Sequence, residues 1–181
     1  MQMRSTDLDG VMLIEPDVFA DDRGHFMETW NTRTFAAIGI EADFVQDNQS
    51  SSNRGVLRGI HYQAGAAQGK LVRVTAGRIF DVAVDLRRSS RFFGHWVGVE
   101  LSADNKRILW IPPGFGHGFL ALDDGTDVLY KCTDFYAPEQ EQCIAWNDPD
   151  IGINWPLGEG KPRLSYRDAS GGSLVTAKVY R

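Results

Sequence analysis

The chain has 181 residues, a net charge of −5 and 43% hydrophobic residues. At roughly 100–200 residues per domain, that length predicts one domain, residues 1–181, with a sizeable core. The acidic balance argues against the broad basic surface of a non-specific nucleic-acid binder, and no stretch approaches the roughly 18 apolar residues of a membrane-spanning helix. Neither nucleic acid nor membrane is expected as a partner, and an anionic ligand would need a local cluster of Arg and Lys. The N-terminal residues carry no apolar run that would read as a secretory signal, so a cytoplasmic location is expected. Nineteen glycines, ten phenylalanines and five tryptophans fit a turn-rich all-β protein.

Val11-Met-Leu-Ile-Glu-Pro16 reads as a first strand, placed at a sheet edge because Pro16 cannot donate to a ladder. Asp21–Gly24 is a turn by composition, and His25–Trp30 alternates as a second strand. Asn31 to Gly39 predicts a helix, with Asn31 or Thr32 as cap, Phe35 and Ile38 on one face, and Gly39 at the end. Phe44 to Asn53 begins apolar and turns wholly polar, which predicts a loop. Gln46 and Asn48 within it suit the reading of a base edge or a sugar. Lys70–Thr75 and Arg78–Leu86, separated by Ala76-Gly77, read as a hairpin. Phe80, Val82, Val84 and Leu86 form one face of its second arm, and Asp81, Ala83 and Asp85 the other. Asp81 needs a partner if it is buried. His95–Leu101, Arg107–Pro112 and Gly118–Leu122 read as strands. Asp123–Thr126 reads as a hairpin turn, and Asp127–Thr133 follows with Val128, Tyr130 and Cys132 on one face. From Phe135 to the end the pattern is irregular. Many short strands between turns indicate a sandwich or barrel. Cys132 and Cys143 have no metal-site spacing with a histidine pair and read as free thiols in a reducing compartment.

Arg54-Gly-Val-Leu-Arg-Gly-Ile-His-Tyr-Gln63 carries the strongest chemical signal. It sets Arg58 and His61 on one short strand, an anion-holding group beside a proton-transfer group. Gly55 and Gly59 would let ligand or backbone approach closely. Further on, Pro112-Pro-Gly-Phe-Gly-His117 has the spacing P-x-G-x-x-H, and Gly55 precedes His61 by six positions. Together these spacings resemble the paired motifs of the cupin superfamily, a double-stranded jelly roll. Metal-binding cupins continue the first motif with a second histidine and a glutamate. Here Gln63 stands at that histidine's place, so a cupin-type barrel without a catalytic metal is expected. Histidines and acids in such a pocket can pair, the carboxylate orienting the imidazole and favouring the imidazolium. That arrangement suits abstraction of a proton beside a carbonyl, with Lys70 or an arginine as the cation for the enolate. Tyr130 is a candidate for the separate acid.

Phe44-Val-Gln-Asp-Asn-Gln-Ser50, Gly55–Gln63, Gln68-Gly-Lys-Leu-Val-Arg73, Phe80–Arg87, Ile111–Phe119, Tyr130-Lys131 and Trp146-Asn-Asp-Pro149 together resemble the dTDP-4-dehydrorhamnose 3,5-epimerase family. The resemblance runs from about Val11 to Asp168. It implies an isomerase that inverts C3 and C5 of dTDP-4-dehydro-6-deoxy-D-glucose without a cofactor or metal. It assigns His61 as base, Asp168 as its carboxylate partner, Tyr130 as the acid on the opposite face of the sugar, and Lys70 as the cation. His117 and Asp81 match a supporting pair. Arg23, Glu28, Gln46, Asp47, Asn48 and Arg58 match substrate contacts, with Phe26 beside them. Lys70 and His117 belong to this contact set as well. Tyr136 matches an aromatic that stacks on thymine, and Glu141 and Arg167 match further contacts. The family is a homodimer that exchanges its N-terminal strands, about residues 11–30, so that Arg23 to Glu28 complete the partner's site. One departure is Gln49, where the family's loop reads D-N-H-S. Family members that invert one carbon only keep most of the same residues, and a non-catalytic sugar-nucleotide-binding jelly roll is a further alternative.

Overall fold

The computed structural model describes residues 1–181. In chain order its strands are β1 (Gln2–Ser5), β2 (Met12–Glu15), β3 (Val18–Asp21), β4 (Gly24–Met27), β5 (Gln46–Ser52), β6 (Leu57–Gln63) and β7 (Lys70–Ala76). They continue with β8 (Arg78–Asp85), β9 (Trp96–Ser102), β10 (Ile108–Ile111), β11 (Phe115–Ala121), β12 (Thr126–Cys132) and β13 (Glu141–Cys143). The helices are α1 (Thr32–Ala37) and α2 (Tyr166–Ala169). One sheet runs β1-β2-β10-β7-β12-β5, the other β13-β6-β11-β8-β9, and β3 with β4 forms a separate ribbon. The result is the all-β, cupin-type jelly roll expected from the motif spacings, with short peripheral helices.

The apolar residues sort into layers that explain the patterning. Val72, Val74, Leu109, Ile111 and Val128 from the first sheet meet Ile79, Ala83, Leu101, Phe115 and Phe119 from the second. This inter-sheet core is the main one. The outer face of the second sheet (Leu57, Ile60, Val82, Val84, Leu86, Leu120) is covered by Ile144, Ile151, Trp155 and Leu174 from the C-terminal region. That cover is why β8 is buried along almost its whole length. On the first sheet, Ile14, Leu71, Ile108 and Trp110 are covered by Phe35 of α1 and by Ile40. The Asn31 side chain caps α1 by accepting from the N–H groups of Arg33 and Thr34, as its composition predicted.

Four expectations are corrected, the first of them at two segments. The Lys70–Leu86 segment is not a hairpin: β7 pairs with β10 and β12, and β8 with β9 and β11. The chain turns a corner between sheets at Gly77, whose φ is +70° and whose added Cβ would lie 2.4 Å from Thr126 Oγ1. Asp123–Thr126 is likewise a corner, since β11 and β12 lie in different sheets. Second, β2 is not an edge strand within the chain, because β1 pairs with it over Gln2–Ser5. Third, the polar Gln46–Ser52 segment is a full strand, paired with β12 over seven residues. Fourth, β3 precedes the Asp21–Gly24 turn as one arm of its ribbon, with the expected His25 strand shortened to β4.

Candidate active site

A cavity of about 490 Å³ opens between the two sheets. Strand β6 supplies its centre through an irregularity. Arg58 and His61 are three residues apart and would point to opposite faces of a regular strand. The β6–β11 ladder instead shifts register: His61 faces His117, whereas Arg58 faces Phe119. Three steps on β6 thus match two on β11, a bulge that turns Arg58 and His61 into the same cavity. Gly59 sits within it at φ +131°, and a Cβ there would meet Gly118 Cα at 2.4 Å. Close backbone approach is therefore the role of Gly59, as expected. Gly55 differs: no atom lies within 4 Å of its added Cβ, and its φ of +82° serves the turn before β6.

His61 Nε2 lies 2.6 Å from Asp168 Oδ1. Asp168 is also fixed by the Gly59 N–H at 2.9 Å and by the Ser165 hydroxyl, which donates to Oδ2 at 2.6 Å. Ser165 in turn caps α2 by accepting from the Asp168 N–H, completing a capping box. Burial pushes the Asp168 carboxyl upward, but its bonds from His61, Ser165 and Gly59 outweigh that effect and hold it at about 2. Asp168 is thus ionised beside the imidazole at neutral pH. The other nitrogen, His61 Nδ1, has no hydrogen-bond partner and lies 3.2 Å from Glu141 Oε1. Glu141 is itself held by Arg167 and by the Tyr136 hydroxyl, which donates to it at 2.6 Å. Burial raises the Glu141 carboxyl, and these bonds together with the neighbouring His61 bring it below the ordinary range.

Beside His61, His117 Nε2 lies 2.7 Å from Asp81 Oδ1. Asp81 is completely buried on the face of β8 that turns toward the inter-sheet space, and His117 is the partner its burial demanded. The opposing sheet contributes Lys70, Tyr130, Gln46 and Asn48 to the cavity wall. Lys70 makes no ion pair. Burial lowers its pKa, and the neighbouring Cys132, Asp81 and Glu141 oppose that shift. Burial raises the Tyr130 phenol, which keeps it protonated and able to donate. Gln46 accepts from the Tyr136 N–H at 2.8 Å, so Tyr136 is fixed at the mouth. Arg58 donates to Ser52 Oγ and to the Ser51 carbonyl, both at 3.2 Å.

Most predicted site residues thus meet in one place. Asp47 does not: it lies on the other face of β5 and pairs with Lys131 at 2.7 Å. Arg23, Phe26 and Glu28 also stand apart, on or just after the β3–β4 ribbon. Arg23 pairs with Asp21, and Glu28 accepts from Asn31. Gln63 borders the cavity, but its side-chain polar atoms are bonded to backbone. It is buried and bonds Ala66, Phe135 and Ala137, joining the loop after β6 to the segment before β13. Ser165 was missed by sequence reading, although Ser165-Tyr-Arg-Asp168 is a capping-box pattern. Cys143 was also missed. It pairs with His61 across β13 and β6, a proximity that no spacing along the chain reveals.

A jelly-roll cavity with an imidazole on one sheet paired to a carboxylate of α2, and a phenol and an ammonium on the other sheet, defines the class of the protein. It is a cupin-type acid–base protein. Comparison with known proteins makes this specific. The dTDP-4-dehydrorhamnose 3,5-epimerase family profile matches residues 5–175. The chain is 57% identical over 171 residues to a dTDP-4-dehydrorhamnose 3,5-epimerase of Pseudomonas aeruginosa, covering 94% of both chains. A crystal structure of the 3,5-epimerase from Legionella pneumophila, in complex with dTDP-4-keto-L-rhamnose, superposes with a TM-score of 0.96. That alignment has 48% identity and covers 99% of this chain and 97% of the other. A 3'-monoepimerase from Streptomyces bikiniensis, in complex with dTDP-quinovose, also superposes, with a TM-score of 0.91 and 35% identity over 97% of this chain and 89% of that one. The chain belongs to the dTDP-4-dehydrorhamnose 3,5-epimerase family.

Proposed function

We propose that the protein inverts both C3 and C5 of dTDP-4-dehydro-6-deoxy-D-glucose, giving dTDP-4-dehydro-L-rhamnose. The observation that carries this reading is the pair of His61 on β6 and Asp168 on α2, with Tyr130 on the opposing sheet, around one cavity. Both carbons flank the C4 ketone, so their protons are acidified by the same carbonyl. His61 removes the proton, and Asp168 balances the charge of the imidazolium that forms. The electron pair moves into the C4 carbonyl, and the Lys70 ammonium stabilises the resulting enolate oxygen. Tyr130 returns a proton to the opposite face, which inverts the centre. The His117–Asp81 pair supports the same wall. Arg58, Gln46, Asn48, Arg167 and Glu141 hold the sugar nucleotide, and Tyr136 at the mouth offers a face for thymine. No step needs a redox cofactor, because abstraction and return of a proton leave the oxidation state unchanged.

The site is completed by a second copy of the chain. Phe19 and Phe26 on the β3–β4 ribbon are 66% and 70% exposed, and Val18 is exposed beside them. The ribbon joins neither main sheet. Reaching into a partner would bury those side chains and deliver Arg23, Phe26 and Glu28 to the partner's cavity. No helix is long and apolar enough to cross a membrane.

Incubation with the 4-keto sugar nucleotide in D2O tests the reaction. Deuterium is expected at both C3 and C5 of the product. Label at one carbon only would move the assignment to a mono-epimerase, the activity of the Streptomyces bikiniensis neighbour. Binding without any exchange would make this a sugar-nucleotide-binding jelly roll.

A further inference from the structure

His61, Cys143 and Asp168 each present one donor atom, and these three atoms lie within 4.8 Å of one another. We propose that this triad is an inhibitory site for Zn2+ or a similar thiophilic divalent cation. The donor set is imidazole, thiol and carboxylate, the three protein ligand types that zinc takes. Three protein ligands with one open position form the usual unsaturated zinc site, and His61 and Asp168 both line the cavity from which an ion would enter.

The backbone holds the donors in place before any ion arrives. Cys143 is opposite His61 in the β13–β6 ladder, so the two side chains leave the same face of adjacent strands. Asp168 is pinned by Gly59 and Ser165. Behind the triad, Glu141 Oε1 lies 3.2 Å from His61 Nδ1. With the metal on Nε2, the imidazole proton sits on Nδ1, whose neighbouring carboxylate is Glu141. A small turn of the ring would bring the two into a hydrogen bond, the contact by which a carboxylate orients a metal-bound imidazole. Metal binding then exchanges one thiol proton for a metal–sulfur bond, and the imidazole proton moves from Nε2 to Nδ1. Hard cations such as Mg2+ gain nothing from the thiol and are not expected to bind.

The inhibitory consequence rests on the role proposed for His61, because a bound metal takes the imidazole and its carboxylate partner out of proton transfer. Cys143 has no part in that reaction, so it can be changed alone. The test is equilibrium dialysis of the intact protein against Zn2+ with metal analysis, in parallel with turnover. The proteins are wild type, Cys143→Ala and Cys132→Ala, with Mg2+ as a control. Expected are one Zn2+ per chain in wild type and in Cys132→Ala, with affinity weakened by about tenfold or more in Cys143→Ala. Turnover should fall with occupancy in wild type, recover with chelator, and persist in Cys143→Ala at the same Zn2+ concentration. Equal Zn2+ binding by wild type and Cys143→Ala overturns the proposal, as does equal occupancy by Mg2+. Zn2+ bound through Cys143 with full turnover would keep the metal site, overturn its inhibitory role, and remove His61 from the base role.

Discussion

Ser165→Ala tests how the carboxylate behind His61 is held. The Ser165 hydroxyl donates to Asp168 Oδ2 at 2.6 Å and accepts from the Asp168 N–H at 3.1 Å. Losing a helix cap costs about 1 kcal/mol, and losing a hydrogen bond to a buried charged group costs about 1.5–3 kcal/mol. One hydroxyl serves both bonds, so the two do not add fully, and a destabilisation of about 2–3 kcal/mol is expected. Asp168 keeps the Gly59 N–H and the imidazole as partners. Turnover should therefore fall by about tenfold, equivalent to 1.4 kcal/mol of transition-state stabilisation, rather than vanish. KM should stay near wild type, because Arg58, Gln46 and Asn48 are untouched. Acid unfolding gives an independent reading. The folded-state pKa of Asp168 is about 2, against an ordinary 3.8. This depressed value contributes stability that is complete above pH 3.8 and lost as pH falls through 2. Its size is on the order of 2 kcal/mol. In Ser165→Ala part of that contribution is already missing at neutral pH, so stability should change less between pH 4 and 2. Denaturant titrations at pH 7, 4 and 2.5, with kcat and KM at pH 7, measure all of this. A variant with unchanged midpoint and kcat within twofold of wild type would show that the Ser165 hydroxyl does not hold Asp168 in place.

Three further outcomes are expected. Tyr130→Phe removes the proposed acid but leaves the proposed base, so substrate recovered from D2O should carry deuterium with its configuration retained, while product formation falls by about 10²-fold or more. Loss of both wash-in and product would assign Tyr130 a different role. Arg23→Ala and His61→Ala should each be inactive as pure dimers, yet refolding them together in equal amounts should restore about a quarter of wild-type activity. In that mixture half of the dimers are mixed, and each carries one intact site if strands are exchanged. No recovery would place Arg23 in its own chain's site. Gly59→Ala should cost more than about 3 kcal/mol and prevent folding at ordinary temperatures, because its Cβ would sit 2.4 Å from Gly118 Cα at φ +131°. A stable, active Gly59→Ala protein would contradict the bulge geometry.

The sequence made the strand-rich class, α1 and most strands after Arg54 legible, because each has an apolar face against one of three cores. Strand β5 was not legible. Its outward residues are solvated and its other face lines a polar cavity, so hydrophobic alternation has nothing to report there. The two false hairpins have another cause: alternation of side chains is the same whether a chain returns in one sheet or turns a corner into another. Gly77 and Gly125 mark a turn in either case. At the site, Asp81 announced its need for a partner, and His117 supplied it. The pairing of His61 with Asp168 spans 107 residues and was reached only through family resemblance. The bulge that brings Arg58 and His61 to one face also left no clear mark beyond Gly59.

In the proposed reaction one imidazole serves both carbons. The direct measurement is solvent deuterium exchange at C3 and at C5, followed separately by NMR, in wild type and His61→Ala. In His61→Ala both rates are expected to fall together, by about 10²-fold or more, while the variant keeps its fold and its affinity for dTDP. Exchange persisting at either carbon at near wild-type rate would contradict that expectation, because a second base would then be at work in the cavity.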